Sequence, residues 1–255
     1  MRRIYLSTAV VALVVTTPAL GTAFAQDRGI PFDGFYAGIN GGYGFGKNIV
    51  RTVGGSPVNN ATVADGARPP IAKLNTEGFL GGVQLGHNWR MDNYVLGLET
   101  DAQYTDMQDT RTVVTTGTAF PGVRNNRFVQ NMNWFGTTRA RLAYAWDNAM
   151  IYGTGGIAYG RLKNQVNFSG PSPASTLQFT DSYRRNNFGY TVGAGFEQGL
   201  DVNWSIKMEY LYYDLGPSEL FPNVIAGSGG AGSGYQSSFN NQGQIGRIGI
   251  NYRFN

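Results

Sequence analysis

The chain of 255 residues has no cysteine and a single histidine, His87. The first absence excludes disulfide frameworks, thiol nucleophiles and zinc–thiolate sites; the second excludes metal centres built from several imidazoles. Charge is scarce as well. Asp, Glu, Lys and Arg make up 14% of residues, against roughly 25% in an ordinary soluble domain. The net charge of +4 is no footprint of nucleic acid, because Arg2 and Arg3 supply two of its units in a segment expected to be removed. Beyond residue 26 there is no uninterrupted run of 18 apolar residues, so no transmembrane helix is expected. What the chain has in excess is 37 glycines, about twice the usual share, and 13% aromatic residues.

Arg2 and Arg3 precede an apolar run from Ile4 to Val15, and Ala23-Phe24-Ala25 meets the small-x-small rule for signal-peptidase cleavage before Gln26. Residues 1–25 therefore read as a signal peptide, 26–32 as a short N-terminal segment, and the remainder as exported.

The mature part alternates with period two, the signature of strands with two unlike faces. In Tyr94–Asp106 one face carries Leu96, Leu98, Ala102 and Tyr104, and the other Glu99, Asp101 and Gln103. In Trp134–Trp146, Ala140, Leu142 and Tyr144 oppose Arg139 and Arg141. The same division recurs in Phe188–Leu200, with Glu197 on the polar face, in Trp204–Leu215, with Lys207 and Glu209, and in the last segment, with Arg247 opposite Ile248 and Ile250. Three glycine-rich segments, Gly34–Phe45, Gly78–Trp89 and Met150–Leu162, bring the count to eight.

The connections alternate in length. Residues 90–93, 147–149 and 201–203 are short and rich in Asp and Asn, which tolerate tight-turn backbone angles. Residues 46–77, 107–132, 163–186 and 216–242 are long. Eight strands need three turns and four loops, and this layout predicts an all-β, eight-stranded antiparallel transmembrane barrel over 33–254, with its turns toward the periplasm and its long loops outside. A secreted lipocalin-like barrel shares the period. It would, however, coat its exterior with charge, whereas these polar faces are mostly Gly, Thr and Asn. Trp89, Trp146 and Trp204 each stand beside a short turn, as a periplasmic aromatic girdle would.

With the apolar faces turned to lipid, Glu99, Asp101, Glu197 and Glu209 point inward with Arg139, Arg141, Lys207 and Arg247, a balanced set expected to form a network. Which acid meets which base depends on shear. Eight strands leave an interior just wide enough for side chains, so a plugged core is expected, with a narrow pore lined by these charges as the alternative.

Other motifs carry little. Gly41 to Lys47 matches part of a phosphate-binding loop, but Asn48 stands where Ser or Thr is required and no helix pattern follows. Gly227 to Gly234 has linker composition and reads as a mobile loop. His87 is the one imidazole base available to a lipid A-modifying barrel enzyme, but it lies near the turn end, away from the outer leaflet, and reads as an interfacial aromatic. No catalytic residue, metal ligand or cofactor is expected.

Phe35-Tyr36-Ala37-Gly38-Ile39-Asn40-Gly41-Gly42-Tyr43-Gly44, Gly78 to Trp89, Trp134 to Leu142, Tyr152 to Gly160 and Met208 to Gly216 resemble the small outer-membrane immunogenic proteins of alphaproteobacteria, a porin-like family similar in fold to the OmpA transmembrane domain. The resemblance covers the strands and not the loops. It implies an integral outer-membrane protein of the Gram-negative envelope with exposed antigenic loops and a structural, surface-interaction role. The partners expected are outer-membrane lipid and lipopolysaccharide, the barrel-assembly machinery at the C-terminal strand, and host or surface ligands at the loops, with no nucleic acid. Two departures are a chain that carries no periplasmic domain after the barrel and an Asn255 following Phe254 where that machinery reads a terminal aromatic.

Overall fold

The computed structural model describes residues 32–171 and 176–254; the expected signal peptide and Asn255 lie outside them. Strands β1 (Gly34–Gly54), β2 (Ile71–Met91), β3 (Tyr94–Thr105), β4 (Gln108–Thr115), β5 (Arg124–Trp146), β6 (Ala149–Ser169) and β7 (Leu177–Gly199) follow one another around a wall. The wall continues through β8 (Trp204–Asp214), β9 (Ser218–Leu220), β11 (Tyr235–Phe239) and β12 (Gln242–Phe254), while β10 (Asn223–Val224) adds a short rung to β7. Three wall positions are broken in two: β3 with β4, β8 with β9, and β11 with β12. Counted that way the wall has eight antiparallel members, and it closes where Phe35 of β1 faces Phe254 of β12. Closure leaves no unpaired edge, which a sheet surrounded by hydrocarbon requires.

The short connections are tight. Asp92-Asn93 joins β2 to β3 and Asp147-Asn148 joins β5 to β6, with φ of 53° and 47° at the two aspartates, a left-handed conformation that Asp tolerates. At the other end, strand pairing reaches well into the spans read from sequence as connections. β1 and β2 stay paired as far as Arg51 and Ile71, and β5 and β6 as far as Asn126 and Phe168. The connections that remain are 55–70, which holds helix α1 (Pro57–Ala64), then 116–123, 170–176 and 221–234, which holds the short β10.

The reason these spans looked like loops is that the alternation reverses its sense. Near the turns the outward positions of β6 are Ile151, Ile157 and Tyr159, and Thr154 and Gly156 face in. Farther along the same strand Arg161, Lys163 and Gln165 face out, and Leu162, Val166 and Phe168 are buried inside. Strand β5 makes the same change across a bulge at Asn133, between Met132 and Trp134, which adds one residue to the strand. A membrane strand needs about 9–11 residues, whereas β5 and β7 have 23 each. Roughly half of each strand therefore builds a wall with polar exterior and apolar interior, the pattern of a barrel in water.

Inside, the residues form layers. At the turn end Phe32, Val95, Ala143, Ala145, Met150 and Tyr152 cluster. The charged layer follows, then an apolar layer that includes Met107, Phe135, Leu211, Tyr213 and Ile245. Toward the loops lies a second apolar cluster with Leu74, Phe128, Phe168, Phe179, Tyr235 and Phe239.

Adjacent glycines separate the two faces of the wall. A Cβ on Gly42 would run into the Gly246 carbonyl and the Arg247 side chain, while one on Gly41 would meet nothing nearer than the Leu80 carbonyl at 3.8 Å. Gly42→Val is expected to lower stability by about 1–3 kcal/mol through overpacking, and Gly41→Val to leave it unchanged or raise it. The midpoint of the heat-induced gel mobility shift of the detergent-solubilised barrel measures both.

Candidate functional site

The eight charged residues singled out by alternation all lie in one buried layer. Glu99, Asp101, Arg139, Arg141, Glu197, Lys207, Glu209 and Arg247 are each no more than 5% exposed. Register sets three acid–base pairs directly opposite one another: Glu99 with Arg139, Glu209 with Arg247, and Glu197 with Lys207. The first two are ion pairs, with Arg139 Nη2 2.6 Å from Glu99 Oε1 and Arg247 Nη2 2.5 Å from Glu209 Oε2. The third is not. Lys207 turns from its neighbour and reaches across to Glu99, donating at 2.7 and 2.8 Å to the two carboxylate oxygens. β3 and β8 stand opposite each other in the ring of eight, so this pair spans the lumen.

Glu99 is the hub. Arg139, Arg141, Lys207 and Arg247 all lie within 3.7 Å of its carboxylate. Arg139 also reaches Glu209 at 2.8 Å, and Arg247 reaches Asp101 at 2.9 Å. Glu197 is held by Arg141 at 3.2 Å and accepts from Ser205 Oγ at 2.5 Å and Asn251 Nδ2 at 3.0 Å. Taking this many ions out of water is costly unless each finds several partners, and the layer provides them.

Neutral residues complete the network, and sequence reasoning missed the two tyrosines among them. Tyr36 donates to Glu99 at 2.8 Å and Tyr152 to Glu209 at 3.1 Å. Their rings also flank the Arg141 guanidinium, 4.9 and 5.2 Å from it, a cation–π arrangement strengthened by desolvation. Both tyrosines sit in glycine-rich segments whose parity is weak in sequence; spacing to Asn40, four residues on from Tyr36 and also buried, is the signal that would have placed the first of them inside. Thr137 donates to Asp101 through its amide at 3.1 Å and its hydroxyl at 2.7 Å.

Trp89, Trp146 and Trp204 stand on the outer surface beside the turns, each 42–45% exposed. His87 also faces outward, its ring 4.2 Å from that of Phe35 and 4.5 Å from that of Trp89, and its buried Nδ1 has no hydrogen-bond partner among the described residues. Among those residues no group of three or more His, Cys, Asp or Glu is placed to hold a metal ion.

The closed ring with its outward apolar band meets a decisive comparison in the sequence itself: residues 7–254 match the model of the outer membrane protein beta-barrel domain. The chain belongs to that family. This outer-membrane barrel is 37% identical over 212 residues to the 31 kDa outer-membrane immunogenic protein of Brucella melitensis biotype 1, covering 82% of this chain and 81% of the relative. It is 34% identical over 140 residues to the 22 kDa outer membrane protein of Rhizobium leguminosarum bv. viciae, covering 55% and 54%. Among solved structures, OprG of Pseudomonas aeruginosa aligns at a TM-score of 0.49 and 14% identity, covering 88% of this barrel and 97% of that chain. The expected outer-membrane localisation follows from family membership.

The loops at the far end of the barrel are tied to one another by contacts that sequence did not reveal. Asp65, just past α1, accepts backbone N–H groups from Thr118, Ala119 and Phe120 at 3.1, 2.9 and 3.1 Å. Asn59 of α1 donates to the Ala231 carbonyl at 3.0 Å and accepts from the Gly234 amide at 3.2 Å. Four glycines of the 227–234 run have φ between 74° and 94°, a region closed to most other residues. Arg68 is 2% exposed, enclosed by the rings of Phe168, Phe179 and Tyr235 at 5.1–5.7 Å, and donates to Asn126 at 2.9 Å.

Two outcomes follow. Glu99→Gln leaves four buried cations facing three carboxylates and is expected to cost about 3–5 kcal/mol. The further change Lys207→Met removes the excess cation and restores part of that loss, as a double-mutant cycle in urea measures. At the mouth, the amides of Ala119, Phe120 and Thr118 hold the Asp65 carboxyl below its ordinary value. A depressed carboxylate stabilises the fold above its unfolded pKa, about 3.9, and that contribution disappears as pH falls through the folded value. Amide protection at Thr118 to Phe120 is expected to persist down to about pH 4 and fade below it, and to be weak at every pH in Asp65→Asn. Hydrogen exchange reads both.

Proposed function

We infer that the protein is a non-catalytic outer-membrane barrel that strengthens the envelope and presents its loop end to the outside. The single observation that carries this reading is the charged layer: Lys207 and Glu99 meet across the lumen with apolar side chains packed above and below. Ions held by several partners each do not exchange with passing solutes. The turns face the periplasm in this orientation, as in other bacterial barrels, and Trp89, Trp146 and Trp204 form the girdle at that interface. The C-terminal strand β12 is the segment offered to the assembly machinery, and surface ligands or host molecules meet the loops. The word "immunogenic" in the name of the Brucella relative agrees with a displayed surface.

The position of His87 supports the absence of catalysis. Its register partners are Phe35 and Leu98, neither of which can orient an imidazole or be activated by it. Planar-bilayer recording tests the closed lumen. The refolded protein is expected to give no current steps at either polarity. Reproducible steps that vanish in an Arg139→Ala, Arg141→Ala variant would replace this reading with a narrow, charge-lined channel.

A further inference from the structure

The reversal of alternation along β6 and β7 places a cationic group immediately beyond the apolar outer band. Arg161 and Lys163 leave β6 on the outward face, and Arg184 leaves β7 directly opposite Lys163. Like charges facing each other across a strand pair repel. Their other register neighbours, Trp134, Asn131 and Asn186, carry no compensating charge. None of the three cations has an ion pair or side-chain hydrogen bond among the described residues. By contrast, every base of the interior layer has at least one carboxylate within 3.7 Å. Facing residues are about 5 Å apart and same-face neighbours along a strand about 7 Å, so the three Cβ atoms lie within about 8 Å of one another, a spacing that long cationic side chains can close around one phosphate group.

Beside Arg161 and below it toward the lipid side, three aromatic rings form a continuous ledge across β5, β6 and β7. Trp134 and Tyr159 have centroids 5.8 Å apart, Tyr159 and Phe188 6.4 Å apart, and Phe188 is 69% exposed. A cationic cradle above an aromatic ledge matches a molecule with an anionic head and an apolar body, aligned with the membrane normal. Guanidinium groups bind phosphate oxygens bidentately, and aromatic rings pack on acyl chains at the interface.

We propose that Arg161, Lys163 and Arg184, with the Trp134–Tyr159–Phe188 ledge, form a binding site on the outer wall for a phosphomonoester-bearing lipid of the outer leaflet. The site rests on the turn-inward orientation that puts this band in the outer leaflet, and it is independent of whether the lumen conducts. The lipid supplies the counter-charge that the chain lacks here and fixes the barrel's depth on this side.

The test uses the full mature chain refolded in detergent, with diphosphoryl lipid A as probe and native mass spectrometry to count retained lipid. One lipid A per barrel is expected, with fully dephosphorylated lipid A lost. Removing all three cations in Arg161→Ala, Lys163→Ala, Arg184→Ala is expected to weaken retention by at least about tenfold, because charge-assisted contacts to phosphate are lost. Phe188→Ala is expected to weaken it a few-fold. The substitutions lie on the surface, and an unchanged heat-mobility shift verifies folding. Arg51→Ala, Lys73→Ala, which removes outward cations on the β1–β2 wall, should leave retention unchanged. Equal retention by the triple variant, equal retention of dephosphorylated lipid A, or equal loss in the β1–β2 control would each overturn the site. Displacement by millimolar inorganic phosphate would reduce it to a plain anion patch and overturn the lipid assignment.

Discussion

Eight strands closed on themselves enclose a space that only side chains can fill, and the Glu99 carboxylate is what makes the filling possible here. Four cations meet at that one group. Each would be intolerable alone in a space sealed from water, and each is held in place by the others' partners. The inward glycines follow from the same crowding: Gly42 leaves room for Arg247, and Gly97 for Arg141. The tyrosines that flank Arg141 fill the gaps that the ions leave. The charged layer of the lumen coheres electrostatically between apolar clusters, inside the part of the wall whose outer face is apolar.

Much of this was legible in the residues. Period two in segments such as Tyr94–Asp106, the Asp-Asn turns and the opposition of Leu98 to Glu99 and Leu142 to Arg141 lead to a closed barrel with ions inside. The pairing was not legible, because shear is a property of the whole ring. Lys207 illustrates why: its strand neighbour is Glu197, but its long stem lets it reach Glu99 on the far wall. The upper parts of the strands were hidden for a different reason. Arg161, Leu162, Lys163 and Asn164 alternate as regularly as the residues below them, but the solvent outside has changed from hydrocarbon to water, so a pattern read for apolar exteriors loses the strand at that point. Helix α1 is only 8 residues long, too short to give a periodic signal, and Arg68 looks like any loop arginine until the three rings from distant strands close around it.

The same change of solvent explains why two sets of cations in one protein behave differently. In the charged layer four acids offset four bases, and the buried Arg68 is held instead by ring faces and an amide oxygen. On the outer wall beyond the apolar band, Arg161, Lys163 and Arg184 border both water and headgroups, where an unpaired charge is cheap and free to seek a partner from the membrane. Position relative to the bilayer, more than residue type, decides whether a charge is structural or available.

The extended strands also set how the molecule meets its surroundings. A strand of 21 residues is roughly 70 Å long and, tilted as barrel strands are, rises roughly 50 Å, of which hydrocarbon claims about 25 Å. The loop-end rim is thus carried like a turret, some way clear of the acyl layer. Hydrogen-bonded strand, more than free loop, therefore makes up what stands clear of the hydrocarbon at that end.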